Sequence, residues 1–297
     1  MKMLIDVMRR PMLSAIAVCL TLMVYGFPSA YAQESTDKPI GESWDYTPSM
    51  KKIAAGFKGK AGVVLHVGDS ITYSNPYGQW ARYGKGRTNA DKAVLKWMHA
   101  GANDATDGWY LARVDRPGGR SDTACSGIRA DQMLAGGKSK MPALKDMLGK
   151  YKPQMVVLML GTNDASSNRK VDAFISDMTK AVDLILGRKT ICILSTIPPH
   201  PKRMKLAASY NKALRTLAKK RGLPLIDFEA EILKRRANDW NGTLLGKGDV
   251  HPTSKSGGTS AADAPTSQNL RNSGYLLRCW LSVRKITEVK KRVIDTR

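Results

Sequence analysis

Short apolar runs, each stopped by glycine or proline and separated by helical stretches, constrain this chain more than any other feature. Ala61-Gly62-Val63-Val64-Leu65-His66-Val67 ends at Gly68, and Met155 to Leu160 ends at Gly161. Ile191 to Ile197 meets Pro198-Pro199, and Leu223 to Phe228 is a short fourth run. Apolar runs without alternation fit strands buried on both faces, as parallel sheets require. Helical stripes fill the later gaps: Phe174, Met178, Val182 and Ile185 within 171–186, then Leu206, Tyr210, Leu214 and Leu217 within 205–221. The alternation predicts βαβ units, hence a three-layer α/β/α sandwich on a parallel sheet. Functional side chains in such sheets gather beyond the carboxyl ends of the strands. Gly68-Asp69-Ser70, Gly161-Thr162-Asn163-Asp164 and Pro198-Pro199-His200 are therefore expected along one rim.

The flanks are less regular. Residues 1–32 read as a signal peptide: Lys2, Arg9 and Arg10, an apolar run from Met12 to about Tyr25, then Ala30-Tyr31-Ala32 as a cleavage site. The run is short of the ~20 residues that span a bilayer, and an uncleaved anchor is the alternative. No later stretch is apolar enough to cross a membrane, so a secreted or periplasmic protein is expected. Residues 33–60, with Pro39, Gly41 and Pro48, read as an exposed lead-in, and 61–297 as a single domain. Residues 74–126 hold Trp80, Trp97 and Trp109 and read as an elaborated connection over the rim. Residues 253–269 read as a loop before a helix from about Leu270 to Val293.

Beyond the leader, Cys125, Cys192 and Cys279 lack CxxC spacing, which excludes a zinc module and a disulfide scaffold. One disulfide is compatible with an oxidising compartment, its pairing open. The formal charge of +23 favours polyanionic surroundings. The basic residues are scattered and not interleaved with aromatics, so no specific nucleic acid is expected.

Four segments in order carry the chemistry: Gly68-Asp69-Ser70, Ser126-Gly127, Gly161-Thr162-Asn163-Asp164 and Asp249-Val250-His251-Pro252. Together they resemble the blocks of the SGNH (GDSL) hydrolase family, over about residues 61–294. The resemblance implies a flavodoxin-like sheet order, a serine esterase activity and no cofactor or metal. It implies Ser70 as nucleophile and His251 as base. The backbone N–H groups of Ser70 and Gly127 and the amide of Asn163 would form the oxyanion hole.

The residue types agree with those roles. Ser70 follows a buried strand at the start of a helix or turn, where N–H groups and the helix dipole favour negative charge. Of four histidines, His66 reads as packed within its strand, His99 lies in the connection, and His200 could line the rim. His251 follows the last αβ unit beside an acid. The family pattern puts that acid three positions before the histidine, where this chain has Gly248. Asp249 is the candidate instead, either orienting His251 or capping a turn, the latter leaving a Ser–His dyad. Gly127 could also be a turn glycine, and Asn163 could close an Asx turn. Asp164 reads as fixing its loop. No GxSxG elbow surrounds Ser70, Gly137-Lys138-Ser139 lacks the first glycine of a phosphate loop, and no HExxH is present. The expected function is an exported esterase, with deacetylation of a carbohydrate favoured. A lipase or lysophospholipase, an acyl transferase between sugars, and a silent polyanion-binding protein are the alternatives.

Overall fold

The computed structural model describes residues 39–98 and 121–296. The leader, its cleavage site, His99 and Trp109 lie outside the described residues. In chain order the elements are α1 (Thr47–Ala55), β1 (Lys60–Gly68), α2 (Ser70–Tyr73), α3 (Gln79–Tyr83) and α4 (Asn89–Trp97). They continue with α5 (Ala130–Ala135), α6 (Leu144–Tyr151), β2 (Pro153–Met159), α7 (Thr162–Ser166), α8 (Val171–Gly187) and β3 (Ile191–Ser195). The last are α9 (Met204–Arg221), β4 (Leu225–Ile226), α10 (Phe228–Arg235), a hairpin of β5 (Lys255–Ser256) and β6 (Thr259–Ser260), and α11 (Gly274–Val289).

The main sheet is parallel, in the order β1-β2-β3-β4. Register runs Gly68 to Met159, Leu158 to Leu194, and Leu194 to Leu225. On the free side of β1, Gly68 N–H donates to Thr123 O (3.1 Å) and Cys125 N–H to Gly68 O (3.3 Å). Residues 123–125 thus form a rudimentary parallel edge. The chain leaves β1 to that side and then crosses back to β2 on the other. Such a reversal opens a crevice at the carboxyl end of β1, and Ser70 begins there.

Val64, Leu65, Val67, Met155, Val156, Leu158, Ile193 and Leu194 are fully buried, which is what two helical layers over a parallel sheet demand. One layer holds α5, α6, α8 and α9, with α8 against β3. Its seam includes Phe174 stacked on Tyr210, ring centroids 4.1 Å apart. The other holds α1, α3, α4, α10 and α11. Among the described residues no helix is long and apolar enough to cross a membrane.

Several boundaries differ from the expectation, each for a local reason. Residues 47–55 are a helix and no exposed lead-in: Tyr46, Met50 and Ala54 are buried. Lys285 of α11 pairs with Glu42 (2.9 Å) and Glu288 (2.8 Å), and Tyr46 Oη donates to Glu288 (2.8 Å), which clasps this segment to the C-terminal helix. Strand β3 stops at Ser195 because Asn211 takes its continuation, accepting from Ile197 N–H (2.9 Å) and donating to Ile197 O (3.0 Å). Asp227 caps α10 through Ala230 N–H (3.2 Å), which turns Phe228 from strand to helix. Ser273 caps α11, so that helix starts at Gly274 rather than Leu270. The 253–269 loop contains the β5–β6 hairpin. Trp80 is wholly buried, its Nε1 donating to Lys85 O (2.9 Å), and Trp97 packs on the core with Lys290 over its ring. Cys125, Cys192 and Cys279 are all buried and free.

Candidate active site

The site is built at the end of β1. Asp69 caps the one-turn helix α2, its Oδ1 accepting from Ile71 N–H (3.0 Å), so Ser70 takes the first helical position. Nothing among the described residues accepts from the Ser70 N–H. Burial pushes the Asp69 carboxyl up, against its hydrogen bond from Ile71 and the charge of Arg278. Ser70, Tyr73, Ser74, Asn75, Pro76, Ser126 and His251 line a cleft of about 430 Å³.

His251 reaches Ser70 from 181 positions away: Nε2 lies 2.8 Å from Ser70 Oγ, and Nδ1 lies 2.8 Å from Asp249 Oδ1. Burial tends to raise the Asp249 carboxyl, but the hydrogen bond and charge of His251 outweigh it and hold the acid below the usual range. An ionised carboxylate only accepts hydrogen bonds. Nδ1 therefore carries the ring proton, and Nε2 is left to accept from the Ser70 hydroxyl. The acid stands at 249 because of a turn. Asp249 N–H donates to Gly246 O (2.9 Å), and Gly248, third in that turn, has φ of 70°. A left-handed backbone there suits glycine and disfavours the aspartate of the family pattern. Asn241 Oδ1 accepts from Gly248 N–H (2.7 Å) and holds the turn in place.

Facing them are the two other candidate oxyanion groups. Gly127 is left-handed (φ 71°), and nothing among the described residues accepts from its N–H. The Asn163 amide donates to Ile128 O (3.1 Å) and, at a long 3.4 Å, to Asp69 Oδ2. It thus joins the segment after Gly127 to the cap beneath Ser70, and its longer bond is the one an oxyanion could displace. Gly161 launches α7 with φ of 128°, and a Cβ there would lie 2.8 Å from the Phe174 ring, so no larger residue fits before Asn163.

The loops are braced by Asp164, as the sequence leads us to expect, and by residues that sequence reasoning does not single out for that role. Asp164, fully buried, accepts from Ala130 N–H (3.1 Å) and from Arg169 (2.5 Å), and Arg169 also binds Asp177 (2.7 Å). Asp164 thereby fixes the loop, and burial pushes its carboxyl up. Lys138, in the phosphate-loop-like Gly137-Lys138-Ser139, donates to Gly127 O (2.5 Å) and pins that peptide. No short-range pattern announces this contact. Arg278 lies under α2, donating to Ile71 O (2.7 Å) and Thr72 Oγ1 (2.7 Å). His66 is packed as expected, its Nδ1 2.8 Å from Tyr77 Oη. Burial, then the charges of Arg278 and Arg82, keep it neutral well below the ordinary imidazole pKa.

His200 does reach the rim but is buried against Ser166, Nε2 to Oγ 3.0 Å. Its Nδ1 accepts from Lys202 N–H (3.3 Å), so the ring proton sits on Nε2 and is donated to Ser166. Ser166 Oγ donates its own hydrogen bond to Thr162 O (3.0 Å). No group of three or more metal-ligating side chains occurs among the described residues.

Residues 66–256 match the model of the GDSL-like Lipase/Acylhydrolase family. No curated relative matches the sequence. Among solved structures, the chain is similar to a catalytic mutant of an acetylxylan esterase from Geobacillus stearothermophilus, at 17% identity and a TM-score of 0.47, covering 78% of this chain and 95% of that one. A GDSL-like lipase from Bacteroides thetaiotaomicron aligns at 17% identity and a TM-score of 0.46, covering 82% and 98%. A member of the lipolytic protein G-D-S-L family from Veillonella parvula aligns at 17% and 0.44, covering 74% and 96%. The family match begins in β1 and runs past the loop of His251, taking in Ser70, Gly127, Asn163 and Asp249, and by that span the chain belongs to the GDSL-like lipase/acylhydrolase family.

Proposed function

We propose that this acylhydrolase is an exported serine esterase acting through Ser70, His251 and Asp249. The observation that carries the reading is the relay of two 2.8 Å contacts, Asp249 to His251 to Ser70, with the imidazole able to accept the serine proton. His251 takes that proton as Ser70 Oγ attacks the ester carbonyl. The carbonyl oxygen becomes an oxyanion held by the N–H groups of Ser70 and Gly127 and by the Asn163 amide. His251⁺ then protonates the leaving alcohol. Water, deprotonated by His251 in turn, releases the acid from the acyl-enzyme and restores Ser70.

The substrate reading is a short acyl group on a polar alcohol, with an acetylated carbohydrate favoured. Its support is the cleft itself: among the described residues, serines, an asparagine and a tyrosine line it, and no leucine, isoleucine, valine or phenylalanine does. A long acyl chain needs an apolar wall to offset its removal from water, at about 0.8 kcal/mol for each CH₂ buried. Trp80 and Trp97 pack on the core and do not serve as sugar platforms. The leader reading of residues 1–32 supports export, and the charge of +23 suits polyanionic surroundings. A panel of p-nitrophenyl esters from acetate to palmitate tests the acyl preference. Fastest turnover is expected on acetate, and a maximum at eight or more carbons would point to a lipase.

A further inference from the structure

Arg278 is only 3% exposed, and no carboxylate lies within ion-pair distance of it among the described residues. Its guanidinium stacks on the Tyr77 ring, Cζ 3.8 Å from the centroid. Its Nη1 and Nη2 donate to Ile71 O and Thr72 Oγ1, each at 2.7 Å, in the turn that opens with Ser70. Tyr77 is fixed in turn by Ser282 Oγ (2.8 Å), also on α11. Arginine is rarely buried without a counter-ion, because desolvation of the charge is costly. The other deeply buried cations differ: Arg235 pairs with Glu231, and Lys285 with Glu42 and Glu288. Among the described residues Arg278 is the one buried cation without an ion pair, and its acceptor Ile71 adjoins the candidate nucleophile.

We propose that Arg278 is a positioning residue that holds the nucleophile turn in register and lends it an uncompensated positive charge, favouring the oxyanion and the departing serine proton. The claim rests on Ser70 being the nucleophile. The Asp69 carboxyl, whose ionisation the Arg278 charge favours, makes no ion pair with it, and burial pushes that acid toward its neutral form, so the positive charge is not cancelled at the turn. The stacked face and the two-pronged fork fix the guanidinium as an ammonium would not be fixed.

The test uses the full chain, with Arg278→Met and Arg278→Lys beside the wild type. The readouts are kcat and KM on p-nitrophenyl acetate and the rate of fluorophosphonate labelling of Ser70, all normalised to the folded fraction by circular dichroism. For Arg278→Met, kcat and labelling should fall about 10- to 100-fold with KM changed less than about threefold. Arg278→Lys, which keeps the charge and loses the fork, should fall between methionine and wild type. Wild-type rates in folded Arg278→Met, or a lysine no better than methionine, would overturn the proposal. If Arg278→Met does not fold, the lysine variant decides alone, and an unchanged labelling rate would count against the claim. Failure of wild-type Ser70 to label at all would instead remove the serine-esterase reading beneath it.

Discussion

The rim carries two serine–histidine contacts of similar length, Ser70–His251 at 2.8 Å and Ser166–His200 at 3.0 Å, with opposite proton directions. In the first, Asp249 accepts a hydrogen bond from Nδ1–H, so the other nitrogen is a base aimed at a hydroxyl in the cleft. In the second, a backbone N–H occupies Nδ1 of His200, so its other nitrogen can only donate. Burial, and then the charges of Arg203 and Lys202, push the His200 pKa below the ordinary value and keep it neutral. A short distance between serine and histidine therefore says little about catalysis. The group on the far nitrogen decides.

Breaking the pairs one residue at a time sharpens that contrast. Ser70→Ala should lower esterase kcat by about 10⁴-fold or more, whereas Ser166→Ala should stay within about twofold of wild type in the same assay. Asp249→Asn offers an amide N–H to Nδ1 and reverses the tautomer. Because Asp249 is half-exposed and water can replace it, the expected fall in kcat is about 10²-fold rather than the full 10⁴. His200→Gln keeps a donor toward Ser166, so activity should change less than about threefold; a hundredfold loss would make His200 part of the machinery.

The smallest effect is on stability against pH. His66 and His200 have depressed pKa values in the folded chain, so above pH 6.5 both states are neutral and the stability is complete. As pH falls below 6.5 the unfolded chain takes up protons that the folded one refuses, and stability declines. His66, wholly buried, sets a limit of about 1.4 kcal/mol per pH unit for its own share. Asp69 and Asp164, raised by burial, act oppositely: their contribution is present at acid pH and is lost as pH rises through their folded values. Thermal unfolding from pH 7.5 to 5.0 should show Tm falling with acid, with a shallower slope in His200→Gln.

Much of this site was legible in the sequence because its members sit at the ends of apolar runs. Ser70 after β1 and Asn163 after β2 are placed by the strands themselves. Asp249 was harder, since its reach depends on the turn at Gly248, whose φ of 70° no spacing rule announces. The direction of the His200 proton was illegible, because it is set by the backbone N–H of Lys202. Arg278 was hidden for another reason. An arginine in a helical stretch reads as solvent-facing, and its partner Ile71 lies 207 positions away. The buried segment before β1 did carry a signal, Tyr46, Met50 and Ala54 at a spacing of four, which Pro39 and Pro48 obscured.

Mapping a fluorophosphonate adduct by peptide mass spectrometry on the folded full chain tests the central claim most directly. The account predicts a single adduct on the peptide holding Ser70, none on the peptide holding Ser166, and loss of labelling in His251→Ala. A folded protein that takes no label, or an adduct on Ser166 that survives Ser70→Ala, would contradict it.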